Sequence, residues 1–239
     1  MLSLKFWGEN MRVIAIIPAR SGSKGLKDKN IKMLRKKPLM AYTIGAAITS
    51  EVFDEVFVST DSERYAEIAR EYGASVPFMR SRHLASDTSS SWDAVREALS
   101  MYQELGKIFD VCVLLQPTSP LRDKNDIINA IDLFKKKNAS TVVSVCEVEH
   151  PVQWCFPLDP DNSMSAFANS PFRNTRRQDI PKFYRENGAI YIVDSADIMN
   201  QNGDIYKSSC YAYVMDKRKS LDIDEQADFD MAEYFMNTK

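Results

Sequence analysis

The sequence predicts an α/β fold: a doubly wound, mostly parallel sheet forming one domain over residues 11–239. Three observations predict it. Six short runs rich in Val and Ile recur along the chain, several almost continuously apolar, as in strands covered on both faces. Segments with helical periodicity alternate with them, the pattern of strands joined through packed helices. At 239 residues and 44% hydrophobic, the chain can bury one large core.

The first predicted strand is "VIAIIPA" (13–19), and the helix "PLMAYTIGAAITS" leads from it towards the strand "EVFVST" (55–60). In "SERYAEIAREYG" Ser62 is placed as an N-cap, Tyr65, Ile68, Ala69 and Tyr72 form one apolar stripe, and Gly73 is a stop. The helix "SWDAVREALSMYQEL" precedes the strand "VCVLLQ" (111–116), and "KNDIINAIDLFKKKN" precedes "TVVSVCEV" (141–148). Two further strands are read at "AIYIV" (189–193) and "YAYVM" (211–215). Residues 150–184 break this rhythm with five prolines (Pro151, Pro157, Pro160, Pro171 and Pro181) and few periodic apolar residues. Long excursions of this kind usually serve function or an interface. Residues 1–10 lack an extended apolar region or cleavage site and are treated as an appendage. No further domain is expected after Lys239.

The formal charge of −2 gives no reason to expect nucleic-acid or membrane-surface binding. No apolar run nears the roughly 18 residues that span a bilayer. Four cysteines without C-x-x-C spacing suggest neither a zinc site nor a disulfide framework, and a reducing, cytoplasmic setting is the expectation. The near-neutral total hides an asymmetry. Arg20 to Lys37 holds eight basic side chains and one acid, Asp28, whereas Ser220 to Glu233 holds six acids and no base. A fold that joins these segments places an anion site beside a cation site.

"ARSGSKGLKDKN" follows the first strand, where a doubly wound sheet presents its ligand loop. It matches neither the Walker loop nor the dinucleotide fingerprint. It offers freed backbone N–H groups at Gly22 and Gly25, the Ser23 hydroxyl, and the cations Arg20, Lys24 and Lys29. Several charge-assisted donors around one loop suit a triphosphate, although a solvated basic turn is the plain alternative. In "SLDIDEQADF", Asp222 and Asp224 alternate in an extended segment, so both carboxylates share one side and could hold Mg²⁺. Asp224 could equally cap the last helix. In "LLQPTSPLRDKNDI", Gln116 is a polar group closing a buried strand, and the following helix starts near Asp123. Arg173, Arg176, Arg177 and Arg185 crowd one stretch and together suggest an acidic substrate, since guanidinium pairs with carboxylate through two bonds. His83 and His150 lack partners for a catalytic triad.

Taken in order, "IPARSGSKGLKDKN", "VSTDSERYAEIA", "RHLASDTSS", "LLQPTSPLR", "RRQDIPKFYRENGAIY" and "SLDIDEQADF" resemble the acylneuraminate cytidylyltransferases, the CMP-sialic acid and CMP-nonulosonic acid synthetase family, from about residue 12 to residue 235. The resemblance implies attack of the anomeric hydroxyl of a nine-carbon 2-keto acid sugar on the α-phosphate of CTP, with pyrophosphate leaving. It implies that Arg20, Ser23, Lys24 and Lys29 hold the triphosphate and that Asn30, Arg80 and Ser91 read the base. Gln116, Arg177, Arg185 and Tyr191 would bind the sugar, and Asp222 and Asp224 would bind Mg²⁺, with Mn²⁺ as a substitute. Arg20 and Lys29, with the two aspartates, would be the catalytic set. Such transfer needs positioning and charge neutralisation rather than a protein nucleophile, and no side chain stands out as a general base.

The resemblance also implies a homodimer with shared active sites, in which the excursion lends Arg177 or Arg185 to the neighbouring subunit. Two positions depart from the family pattern: Lys27 stands where proline is usual, and Gln153 replaces a basic residue. A synthetase for the eight-carbon acid Kdo and a non-catalytic nucleotide-binding module are the alternatives. The "RRQDIPKFYRENGAIY" segment argues against the first, and retention of both aspartates beside the loop cations argues against the second.

Overall fold

The computed structural model describes residues 10–22, 25–85, 90–200, 205–206 and 209–238. β1 (Val13–Pro18) is followed by a small hairpin of β2 (Met33–Leu34) and β3 (Lys37–Pro38). Then come α1 (Leu39–Ser50), β4 (Glu55–Ser59), α2 (Glu63–Glu71) and α3 (Ser91–Glu104). β5 (Val111–Leu114), α4 (Lys124–Lys137) and β6 (Thr141–Glu147) continue the alternation. The stretch beyond β6 contains short helical turns, among them α5 (Ser165–Ala168). The chain then returns as β7 (Tyr184–Asp194), α6 (Ser195–Asn200), β8 (Cys210–Val214) and α7 (Gln226–Asn237).

Local chemistry fixes the helix ends. At α3 the Ser90 hydroxyl accepts from the Asp93 N–H (3.2 Å) while the Asp93 carboxylate accepts from the Ser90 N–H (2.9 Å). Asp123 and Asp126 form the same reciprocal cap on α4, where the sequence placed a helix start. Asn138, left-handed at φ 46°, ends α4. Gly73 at φ +90° lies just beyond α2, as read. Ser62 does hold the cap position of that helix, but through its carbonyl, which accepts from Tyr65 and Ala66.

The sheet order is β4-β1-β5-β7-β6-β8. β1 runs parallel to β4 and β5, and β6 parallel to β8. β7 is antiparallel to both of its neighbours. It is also eleven residues long, where the apolar pattern indicated only 189–193. Its first half is polar, and a register irregularity between Val143 and Val145 accommodates it. β1 shows why both faces are apolar. Val13, Ala15 and Ile17 join Met40 and Ile44 of α1 on one side. Ile14 and Ile16 join Val95 and Ala98 of α3 on the other. Each buried Ile contributes about 1.5–3 kcal/mol of transfer free energy.

A smaller cluster of Leu34, Leu39, Ile223, Phe229 and Ala232 packs the basic hairpin region against the segment that enters α7. The basic and acidic stretches are thereby brought together.

Candidate active site

The loop after β1 is tied at both ends. The Ser21 N–H and hydroxyl both donate to the Asp61 carboxylate, at 2.8 and 2.9 Å. Further on, Tyr65 donates its hydroxyl proton to Asp28 (2.9 Å), which sits in the left-handed region at φ 51° and opens the turn Lys29–Ile31. That turn delivers Lys29, whose side chain is only 12% exposed. Its ammonium lies 2.5 Å from the Ile223 carbonyl and 2.9 Å from the Asp224 carboxylate. Gly25 lets the loop come this close: a Cβ there would stand 2.6 Å from the Asp224 carbonyl oxygen.

Between these segments lies a cleft of about 500 Å³ at the carboxyl ends of β1 and β5. Arg20, Lys29, Asn30, Arg80, Ser91, Gln116, Asp222 and Asp224 all line it. Ser23 and Lys24 lie outside the described residues. Asn30 is buried and donates its Nδ2 proton to the Arg20 carbonyl (3.1 Å), while its Oδ1 has no partner among the described residues. Arg80 is a buried cation under the cleft, held by the Ser59 hydroxyl and carbonyl at 2.9 Å each. Burial lowers its pKa, opposed by Asp61 and Glu97. Ser91 opens α3 at the cleft edge.

The two aspartates sit on an extended strap. The buried Ile223 between them donates its N–H to the Thr118 carbonyl (2.9 Å), pinning the strap to the loop after β5 and turning its neighbours to the cleft. The capping alternative for Asp224 does not hold: Glu225 occupies the cap position of α7, and the Asp228 carboxylate accepts from the Asp224 and Glu225 N–H groups (2.9 Å each). The Asp224 side chain is 77% exposed. Asp222 is more enclosed, with Oδ1 buried and without a partner among the described residues. Burial pushes its pKa up; the Thr118 hydroxyl and Lys29 oppose the rise, and Asp224 adds to it.

Several supporting residues escaped the sequence reading. Arg122, fully buried, donates to the carbonyls of Gln116 (3.1 Å) and Ala189 (2.8 Å) and to the Thr43 hydroxyl (2.6 Å). Burial lowers its pKa to about 10. Nothing local in "SPLRD" marks this residue; besides the Gln116 carbonyl, its partners lie on α1 and β7. Asn187 accepts from the Ser144 hydroxyl (2.6 Å) and donates to the Ser220 hydroxyl (2.8 Å), joining β6, β7 and the approach to the aspartate strap. Gly188, at φ +73°, leaves room for Gln116: a Cβ would meet the Gln116 Oε1 at 2.8 Å and the Asp222 Oδ2 at 3.8 Å. The Asn-Gly pair before "AIYIV" was the signal available; it lies inside β7, which begins at Tyr184.

The remaining sugar-site expectations stand elsewhere. Tyr191 is half-buried on β7, edge-on to Trp92 with ring centroids 5.8 Å apart. Arg177 donates to the Glu149 carbonyl (2.6 Å), and Arg185 approaches the Glu149 carboxylate at 3.8 Å. None of the three is among the described residues that line the cleft of this chain.

A family model for cytidylyltransferases matches residues 14–238. The chain belongs to that family. The N-acylneuraminate cytidylyltransferase of Escherichia coli O18:K1:H7 is 44% identical over 92% of this chain, which spans about half (51%) of that protein's length. The CMP-N,N'-diacetyllegionaminic acid synthase of Legionella pneumophila is 37% identical over 95% of this chain and 97% of its own. A pseudaminic acid cytidylyltransferase of Campylobacter jejuni is 35% identical, over 93% and 95%. Among solved structures, CMP:2-keto-3-deoxy-manno-octonic acid synthetase complexed with CTP superposes with a TM-score of 0.69, covering 95% of this chain and 99% of its own, at 16% identity. That likeness shows the α/β nucleotidyltransferase fold.

Proposed function

We propose that this chain activates a nine-carbon 2-keto acid sugar of the sialic, legionaminic or pseudaminic type with CTP, releasing pyrophosphate and forming the CMP-sugar. The observation that carries the proposal is the junction of Lys29 with the Asp222–Asp224 strap across a cleft lined by Arg20, Arg80 and Gln116. Cations for a triphosphate face two carboxylates for a cation within one space. The relatives named for sialic, legionaminic and pseudaminic acids support this substrate class.

Arg20, Lys29 and the loop residues Ser23 and Lys24 would hold the triphosphate. The unpaired Oδ1 of Asn30 suits the amino group of cytosine, with Arg80 and Ser91 completing the base site. Asp222 and Asp224 fit Mg²⁺, or Mn²⁺ in its place: both are hard oxygen donors on one wall, and Asp222 holds an oxygen with an unmet bond. The metal would neutralise the α-phosphate and acidify the attacking hydroxyl. Lys29, fixed beside Asp224, stabilises charge growing on the phosphate without having to reorganise. Gln116, beside Asp222 at Gly188, would orient the sugar.

Exposed Val152, Leu158, Met164, Phe172, Phe183 and Tyr184 lie on or beside the excursion. They support a homodimer in which Arg177 or Arg185 reaches the partner's cleft and meets the sugar carboxylate, with Tyr191 binding the sugar from beside the cleft. Light scattering should give a dimer; a monomer at working concentration contradicts this part. No described helix is long and apolar enough to cross a membrane. The cytoplasm, where CTP is available, is the compartment we infer. The test of the reaction is Asp222→Asn. A folded variant that still binds CTP but has lost nearly all Mg²⁺-dependent turnover fits the proposal; full turnover in the variant contradicts it.

A further inference from the structure

The first half of β7 carries a carboxylate that the functions above do not use. Glu186 accepts the hydroxyl proton of Tyr191 at its Oε2 (3.2 Å) and that of Tyr206 at its Oε1. It lies two residues before Gly188, the point where Gln116 and Asp222 approach one another. Trp92, adjacent to the cleft residue Ser91, stands edge-on to Tyr191. Glu186 itself is exposed.

The polarity of this group follows from its bonds. An ionised carboxylate only accepts, and a phenol has a single proton to donate. Both phenol protons are directed at Glu186, so Tyr191 turns a lone pair, not a proton, outward. Burial and the nearby Glu186 charge raise the pKa of both phenols, which keeps those protons in place through neutral pH. Glu186 and the two phenol oxygens therefore present acceptors, so a ligand hydroxyl or amide N–H finds a partner there.

We propose that Glu186, oriented by Tyr191 and Tyr206, is a specificity-determining residue that binds hydroxyl or amide N–H donors of the acid sugar and repels its carboxylate. This rests on reading the cleft as an acid-sugar site. The substrate then lies with its donor-bearing substituents over β7 and its acidic end towards the cations, a single orientation enforced from both sides.

The test compares wild type, Glu186→Gln and Tyr206→Phe in pyrophosphate release with CTP, Mg²⁺ and the nine-carbon acid that wild type turns over fastest. Glu186→Gln replaces an acceptor with a donor at unchanged size. It should raise KM for the sugar roughly tenfold, with KM for CTP unchanged, as expected for one lost bond to a charged group. Tyr206→Phe should move the sugar KM in the same direction by less. An unchanged sugar KM in Glu186→Gln overturns the proposal, as does an equal rise in both KM values, which would mark a structural role. Wild type that folds and binds CTP but turns over no acid sugar overturns the functional reading itself, and this inference with it.

Discussion

Replacing Gly188 with alanine tests the architecture of the cleft at its narrowest point. The backbone there has φ +73°, where an L-side chain costs about 1–2 kcal/mol. In a chain of this length that penalty lowers Tm by roughly 2–8 °C, so the variant should still fold. The local effect is larger than the global one. The new Cβ would lie 2.8 Å from Gln116 Oε1 and 3.4 Å from its Cδ. Nonbonded heavy atoms prefer about 3.5 Å or more, so the amide must retreat by roughly half an ångström or more. The Gln116 backbone cannot follow, because Arg122 holds its carbonyl at 3.1 Å. Asp222 Oδ2, at 3.8 Å from the new Cβ, stays in ordinary van der Waals contact, so the clash falls on Gln116. Misplacement on this scale can lower turnover by about a hundredfold. Steady-state pyrophosphate release, read beside thermal melting and CTP binding, separates the two effects. A folded Gly188→Ala protein with turnover within about threefold of wild type would refute the claim that this glycine positions Gln116.

Other perturbations follow from the same contacts. Gly25→Ala drives a methyl group into the Asp224 carbonyl, a backbone atom that cannot swing away; turnover should fall with the apparent Mg²⁺ requirement raised, measured by metal titration. Arg122→Met leaves the acceptors on Gln116, Ala189 and Thr43 without their buried donor. A loss of about 3 kcal/mol in denaturant unfolding is expected, with activity lost in proportion to unfolding or more. Acid stability should depend on Glu55 and Asp123. Burial is the largest single influence and acts to raise both pKa values. The hydrogen bonds and charge of Lys107 and Lys219 oppose it, together with hydrogen bonds from Ser75 and Tyr102 to Glu55 and from the Asn125 and Asp126 N–H groups to Asp123. Combined, they outweigh burial and hold both groups below the ordinary carboxylate value. Groups with depressed folded pKa values stabilise above their unfolded value of about 4, and that contribution is lost as pH falls through the folded values. Thermal melts from pH 7 downward should therefore steepen below about pH 4, and Lys219→Met should flatten the decline.

The sequence made the strands of the parallel half legible because burial on both faces writes a continuous apolar run, as in Val13–Ile17. It made the meeting of basic loop and acidic strap legible because opposite charge blocks at the two ends need one another. β7 was half hidden. Its leading residues Arg185, Glu186, Asn187 and Gly188 are polar or conformationally special, and their reasons lie across the sheet in Ser144, Ser220 and Gln116. Arg122 was invisible for the same reason: a charged residue in a loop reads as exposed until the fold closes over it. Asp224 shows the reverse. Spacing alone left metal binding and helix capping even, and the placement of Glu225 and Asp228 decided against the cap.

The central claim is that the cleft couples CTP to an acid sugar. Its most direct test is pyrophosphate release from CTP and Mg²⁺ with N-acetylneuraminic, legionaminic, pseudaminic and Kdo acids offered separately. Turnover with one nine-carbon acid, with one CMP-sugar formed per pyrophosphate, is the predicted result. No release with any of the nine-carbon acids, from folded protein that still binds CTP, would contradict it.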